Sequence, residues 1–214
     1  MEFETREQAD SKLWQEHRCK RITSSNFGLI CKARPSTDLT KLAKSLVSPA
    51  DFNSRATAHG RQYEPVAVEM FEQATGLVAS RCGLFVSQHQ PYLAASPDRL
   101  IDDDTVLEVK CPFAACKQLI SPATVPYLRK VDNELNLDHN HNYYYQVQGQ
   151  LFCAEKTSCL FCVFTLADLV VIKIERDDAF IAHMVNRLCE FFAKYFRQAV
   201  LEKHMYRFHS HHFC

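Results

Sequence analysis

Long apolar runs are what this 214-residue sequence most clearly lacks. No stretch reaches membrane-spanning length, and no N-terminal apolar segment resembles a signal peptide. The expectation is an intracellular protein, cytoplasmic or nuclear, not secreted and without membrane contact. No Gly/Ser/Pro-rich linker divides the chain, and its length suffices for one sizeable core. That predicts a single domain over residues 1–203, followed by a His/Cys-rich frayed tail at 204–214. Net charge is also absent: 25 Lys and Arg balance 25 Asp and Glu, so total charge excludes no class of partner. Acids are missing locally as well. From His17 to Arg34 there are five basic residues (Arg18, Lys20, Arg21, Lys32 and Arg34) and no Asp or Glu. Such a stripe suits phosphate contacts, and equally an ordinary solvated helix face. Disulfides are not expected among the ten cysteines, which a reducing compartment keeps as buried or free thiols.

What is present centres on residues 96–110, Ser-Pro-Asp-Arg-Leu-Ile-Asp-Asp-Asp-Thr-Val-Leu-Glu-Val-Lys. Two short apolar runs flank an Asp-rich break, the pattern of a β-hairpin. With its turn centred on Asp103, Asp98 faces Glu108 across the ladder, at a Cβ separation of roughly 4.5–5.5 Å. Carboxylates that close repel unless a cation or a shared proton lies between them. Lys110 shares the face of Glu108, while Val109 points into a core. Oxygen ligands of this kind suit Mg²⁺ or Mn²⁺. A neighbouring lysine can activate a water or steady a phosphate oxygen. A solvated hairpin with ordinary surface charge is the alternative for this stretch alone.

Around the hairpin, helices are expected at Glu7–Cys19, at about Ser25–Lys32, at Leu39–Leu46 and at Arg55–Thr75, the last ended by Gly76 and kinked at Pro65. Ser48 and Pro49 should stop the third. Glu64 shares an apolar helix face with Ala67, Val68, Phe71 and Ala74. It is therefore aimed at the core and needs a partner, or its tip escapes to water. Gly83–Ser87 and Tyr92–Ala95 read as strands, Phe113–Ile120 as a short helix, and Ser121–Leu137 as a mobile or substrate-shaped loop. Asn142–Ala154 reads as a helix whose second face carries Gln146, Gly149, Gln150 and Cys153. Gly149 costs about 1 kcal/mol inside a helix, which a close backbone approach would explain. Gln146 could then look onto the hairpin, although a surface role is open. Leu160–Thr165 and Leu169–Ile174 are buried strands, and Asp178–Leu201 is a final core-facing helix.

The order Glu64, Asp98, Glu108-Val109-Lys110, Gln146 resembles the restriction-endonuclease-like nucleases, whose signature is a proline-preceded Asp followed by Glu-x-Lys. More narrowly, the chain resembles the phage lambda exonuclease and YqaJ-type viral recombinase family. The matching pieces are Arg18 with Arg21-Ile22-Thr23-Ser24-Ser25-Asn26-Phe27, His59-Gly60-Arg61-Gln62-Tyr63-Glu64, Ser96-Pro97-Asp98, Leu107-Glu108-Val109-Lys110-Cys111-Pro112-Phe113 and Tyr145-Gln146-Val147-Gln148. The resemblance implies an α/β fold of the α+β mixed-sheet kind, with a central mixed β-sheet flanked by helices. It implies an Mg²⁺-dependent DNA exonuclease, with Mn²⁺ able to substitute, that degrades one strand of linear duplex DNA from its 5′ end in recombination or mobile-element DNA processing. By resemblance, Asp98, Glu108 and the Val109 carbonyl hold the metal, and Glu64 helps at a second position. Lys110 handles the attacking water, Gln146 supports the site, and Arg18 and Ser25 grip the 5′ phosphate. Double-stranded DNA ends, a single-strand annealing protein and a homotrimeric ring are the implied partners. The Ser121–Leu137 loop, the cysteine content and the His-rich tail depart from the family. Two alternatives stand beside this reading. One is an iron–sulfur nuclease using Cys153, Cys159 and Cys162, which is disfavoured because three-residue spacing within a strand separates Cys159 and Cys162 onto opposite faces. The other is a non-catalytic DNA-binding module.

Overall fold

The computed structural model describes residues 1–48 and 54–210, with side chains described as far as Lys203. Pro49, the expected helix stop, lies outside the described residues, and so do residues 211–214 and the side chains of the tail. In chain order the elements begin with α1 (Lys12–Cys19), β1 (Ile22–Thr23), α2 (Phe27–Cys31), α3 (Leu39–Val47) and α4 (Arg55–Thr75). Next come β2 (Ser80–Arg81), β3 (Phe85–Val86), β4 (Leu93–Ala95), β5 (Arg99–Leu100) and β6 (Thr105–Lys110). The chain then forms β7 (Leu128–Val131), β8 (Glu134–Leu137), α5 (Asn142–Ala154), β9 (Ser158–Phe164) and β10 (Leu169–Glu175). It ends in α6 (Asp178–Phe191) and α7 (Arg197–Ser210), joined by a wider π turn at Phe192–Phe196.

The apolar strands β6, β9 and β10 form the centre of a five-stranded mixed sheet ordered β10-β9-β6-β5-β2, in which only the β6–β9 pair is parallel. Side chains alternate between its faces. Val106, Cys159, Phe161 and Val163 pack with Tyr144, Val147 and Leu151 of α5. Leu107, Val109 and Cys162 pack with Ala67, Val68 and Phe71 of α4. Cys159 and Cys162 thus fall on opposite faces, and burial pushes both thiols up, Cys162 to about 12. That placement removes the geometric basis for a shared cluster ligand pair.

Helix α4 runs unbroken through Pro65 and ends at Gly76, whose φ of 72° is the left-handed geometry a glycine cap supplies. Helix α5 crosses the Ser24–Phe27 segment so closely that a Cβ on Gly149 would lie 2.5 Å from the Phe27 ring. The glycine expected to mark a close approach marks this one.

Several expectations are corrected. The Glu7–Cys19 helix is broken at Ser11, whose side chain caps α1 by accepting from the Trp14 N–H. Gly83–Ser87 and Tyr92–Ala95 yield only the short β3 and β4, and these pair with β1 in a separate three-stranded sheet rather than joining the central one. Phe113–Ile120 gives only one 3-10 turn, Phe113–Ala115. Ser121–Leu137 is an ordered hairpin: Asp132 and Asn133, with φ of 49° and 68°, form the two-residue turn joining β7 and β8. Val125, Tyr127, Leu128 and Leu137 bury its inner side. The last helix continues past Leu201 through Ser210, into the segment read as frayed.

Gly149→Ala should place its methyl against Phe27 and destabilise the fold by about 1–3 kcal/mol. Chemical denaturation would show this as a lower midpoint, and an unchanged midpoint would contradict the close crossing.

Candidate active site

The hairpin register pairs Arg99 with Leu107 and Leu100 with Val106, which centres the turn on Asp103 and sets Asp98 opposite Glu108. Ser96, Pro97 and Asp98 precede β5, and side chains hold them where ladder bonds are scarce. Trp14 Nε1 donates to Ser96 Oγ at 2.9 Å, Gln8 Nε2 to the Pro97 carbonyl at 2.8 Å, and Arg99 to the Asp98 carbonyl at 2.6 Å. Asp98 in turn accepts the Val109 N–H on Oδ2 at 2.7 Å. Its carboxylate thereby replaces a missing strand partner.

Glu108 is only 2% exposed. Its charge is met from three sides, as a buried carboxylate requires. Lys110 Nζ donates to Oε1 at 2.5 Å and Gln146 Nε2 to the same oxygen at 2.6 Å, while Gln150 Nε2 donates to Oε2 at 2.6 Å. Gln146 and Gln150 are one helical turn apart on α5, so both amides reach the same strand residue. Lys110 also lies 4.4 Å from the centre of the Tyr143 ring. On the far side, Glu64 projects from α4 and bonds Arg99 at 3.1 Å. Glu64, Asp98, Val109 and Lys110 line one cleft of about 320 Å³ with Gly60, Tyr127 and Tyr143 among its other walls. The structure therefore brings Glu64, Asp98, Glu108, Lys110 and Gln146 together.

Charge is unevenly balanced there. Burial, then repulsion from Glu108 and Glu64, raises the Asp98 pKa well above its usual value, against opposing help from Lys110 and the Val109 N–H. Burial alone would lower the Lys110 pKa, but attraction from Glu108 and Asp98 outweighs it and holds the ammonium charged.

Arg18 and Ser25 are not among the residues that line this cleft. The Arg18 guanidinium sits 4.2 Å above the Trp14 ring, and burial brings its pKa down to about 10. Ser25 does not cap a helix. It lies in the Ser24–Asn26 turn with its hydroxyl 3.2 Å from that of Thr23, and the short α2 that follows has Asn26 at its N-terminal cap position. Part of the basic stripe holds backbone: Arg21 bonds the Pro91 carbonyl and Lys32 that of Asn140. Sequence reasoning did not assign Gln150, Tyr143, Tyr127 or Arg99 to the site. Only Gln150 carried a signal, its four-residue spacing from Gln146.

Among the described residues, no three His, Cys, Asp or Glu side chains form a ready-made metal cage. Two carboxylates and a backbone carbonyl do fit a hydrated divalent ion, since Mg²⁺ takes few protein ligands and keeps several waters or substrate oxygens. Both Glu108 oxygens carry donors here, so a cation at Oε1 must compete with Lys110.

The mixed sheet, its flanking helices and this hairpin define a restriction-endonuclease-like fold. Residues 13–157 match the YqaJ-like viral recombinase domain, and the chain belongs to that family. It is 23% identical over 170 residues to uncharacterized protein R354 of Acanthamoeba polyphaga mimivirus. That match takes in 71% of this chain and 28% of the length of the mimivirus protein. Among solved structures, an alkaline exonuclease (LHK-Exo) from Laribacter hongkongensis aligns with a TM-score of 0.71 at 21% identity, covering 92% of this chain and 98% of that one. SOX of KSHV, in an RNA complex, aligns with a TM-score of 0.66 at 12% identity, covering 93% and 73%.

The raised Asp98 pKa has a sign that can be checked without metal. Above the unfolded value of 3.8 the unfolded chain has released this proton while the native chain keeps it. Native stability therefore falls as pH rises from there through the raised native value. Asp98→Asn should remove that loss. In chelator, its denaturation midpoint should exceed the wild-type value at pH 7, with a smaller difference at pH 4. A lower midpoint at pH 7 would contradict the repulsion.

Proposed function

We propose that this chain is a metal-dependent deoxyribonuclease that degrades one strand of linear duplex DNA from the 5′ end. The observation that carries the reading is the convergence of Lys110, Gln146 and Gln150 on the buried Glu108, opposite Asp98, with Glu64, Asp98 and Lys110 lining one open cleft. Family membership and the fold shared with an alkaline exonuclease support the substrate class. Asp98, Glu108 and the Val109 carbonyl would hold Mg²⁺, or Mn²⁺ in its place, with Glu64 serving a second position. A divalent ion there polarises the scissile phosphate and lowers the pKa of a bound water.

The chain's own groups do the rest. Lys110, held charged, orients the attacking water or steadies a phosphate oxygen from its place in the cleft. Gln146 and Gln150 each donate to Glu108 and fix its rotamer, so less reorganisation is needed when DNA enters. Arg18 is poised for an anion. Its guanidinium is enclosed, remains charged at neutral pH and has an aromatic face as its recorded partner. A terminal 5′ phosphate carries more charge than an internal one and suits a guanidinium fork, to which the exposed Ser25 hydroxyl adds a donor. A homotrimeric ring and a strand-annealing partner complete the proposed working context. Among the described residues, no helix is long and apolar enough to cross a membrane. We propose residues 1–203 as the nuclease domain.

Asp98→Ala and Glu108→Ala should each lower cleavage by about a thousandfold or more while leaving duplex binding largely intact. Lys110→Ala should lose turnover yet retain metal. Strong residual Mg²⁺-dependent cleavage by Asp98→Ala would sink the assignment. The end pocket is read separately: duplex with 5′-phosphate should be digested faster than duplex with 5′-hydroxyl, and Arg18→Ala should erase most of that difference. Equal slowing of both substrates would remove Arg18 from end recognition.

A further inference from the structure

Arg99 follows Asp98 directly, and neither the hairpin pattern nor the charge pattern of the sequence marks it. Its NH1 group bonds two partners at once, the Glu64 carboxylate at 3.1 Å and the Asp98 carbonyl at 2.6 Å. Those partners belong to different elements, α4 and the segment entering β5. One guanidinium thus spans the two sides of the cleft. Arg99 is 17% exposed and Glu64 35%, so the pair is shielded without being sealed.

Its position sets its role. Glu64 lines the main cleft together with Asp98 and Lys110, and Arg99 does not line that cleft. Glu64 and Arg99 both line a second, smaller cleft of about 230 Å³ with Gln8, Glu7 and Arg81. Glu64 is thus shared by the two clefts, and Arg99 meets its carboxylate without lining the one that holds Asp98 and Lys110. Gln8, which lines the second cleft with Arg99, holds the Pro97 carbonyl, one peptide before the carbonyl that Arg99 holds. Two successive carbonyls at Asp98 are thereby gripped by side chains of the second cleft.

We infer that Arg99 is a positioning residue with two opposed effects, fixing Glu64 relative to Asp98 while its positive charge weakens divalent-ion binding at the carboxylates. The inference rests on the metal reading proposed above. The two bonds from NH1 tie Glu64 to the Asp98 backbone, which restrains geometry and favours turnover. The charge competes with an incoming cation for Glu64 and restrains affinity. A residue that only stabilised the fold would not link slower turnover to tighter metal binding.

Calorimetric titration with Mn²⁺ alone, in the absence of DNA, separates these effects on the full chain. Arg99→Gln should bind Mn²⁺ about fivefold tighter than wild type. Its digestion of linear duplex at saturating Mn²⁺ should be about tenfold slower or worse. Arg99→Lys keeps the charge and loses the rigid guanidinium that carries NH1 to both partners, so its affinity should match wild type while its rate stays reduced. Unchanged or weaker Mn²⁺ binding by folded Arg99→Gln would overturn the inference. If that variant does not fold, Arg99→Lys decides, and a wild-type rate would overturn the positioning role. Asp98→Asn is the control. If it binds Mn²⁺ as wild type does, the metal reading fails and takes this inference with it. If Asp98→Asn loses binding while Arg99→Gln binds Mn²⁺ no tighter than wild type, only the role of Arg99 is refuted.

Discussion

A carboxylate buried in the middle of a sheet is costly, and this fold is arranged around offsetting that cost at Glu108. The strand β6 places it 2% exposed, between Leu107 and Val109, which point into the core against α4. Its burial is tolerated there because one lysine and two amides donate to its oxygens. Those amides come from α5, so α5 must pass close over the sheet. That demand reaches back along the helix to Gly149, where no side chain fits against Phe27. It reaches forward to Tyr143, whose ring lies beside Lys110. Satisfying a single buried charge thereby fixes a helix, a glycine and an aromatic contact.

Asp98 shows the complementary condition. It is held firmly by the Val109 N–H and by side chains that grip its approach, yet burial and two neighbouring carboxylates disfavour its charged form. A rigid scaffold thus maintains a site whose charge is incompletely balanced. Functional sites commonly retain such tension at a cost in stability. A cation would relieve it, which supports the proposal that this carboxylate pair binds a metal.

Much of this was legible in the sequence, for identifiable reasons. The period-two pattern around an Asp-rich break set the hairpin register, and Gly76 and the apolar face marked α4. Gly149 in a helix announced its own close crossing. Other features depended on partners distant in sequence. The short strands β3 and β4 gave no hint of which sheet they would join. The β7–β8 hairpin did leave a signal, Val131-Asp132-Asn133-Glu134 between alternating residues, but two prolines and mixed charge obscured it. Arg99 and Gln8 act through carbonyls, and main-chain acceptors leave no trace in a residue pattern. The basic stripe divided: Arg21 and Lys32 hold backbone, and Arg18 rests on Trp14.

The account's central claim is that the Asp98–Glu108 cleft hydrolyses DNA from ends. The most direct measurement is incubation of wild-type protein and Mg²⁺ with linear duplex beside covalently closed circular DNA of the same sequence. The account predicts progressive release of nucleotides from the linear molecule, none without divalent metal, and an intact circle. Cutting of the circle as fast as the linear duplex, or no metal-dependent hydrolysis of either, would contradict it.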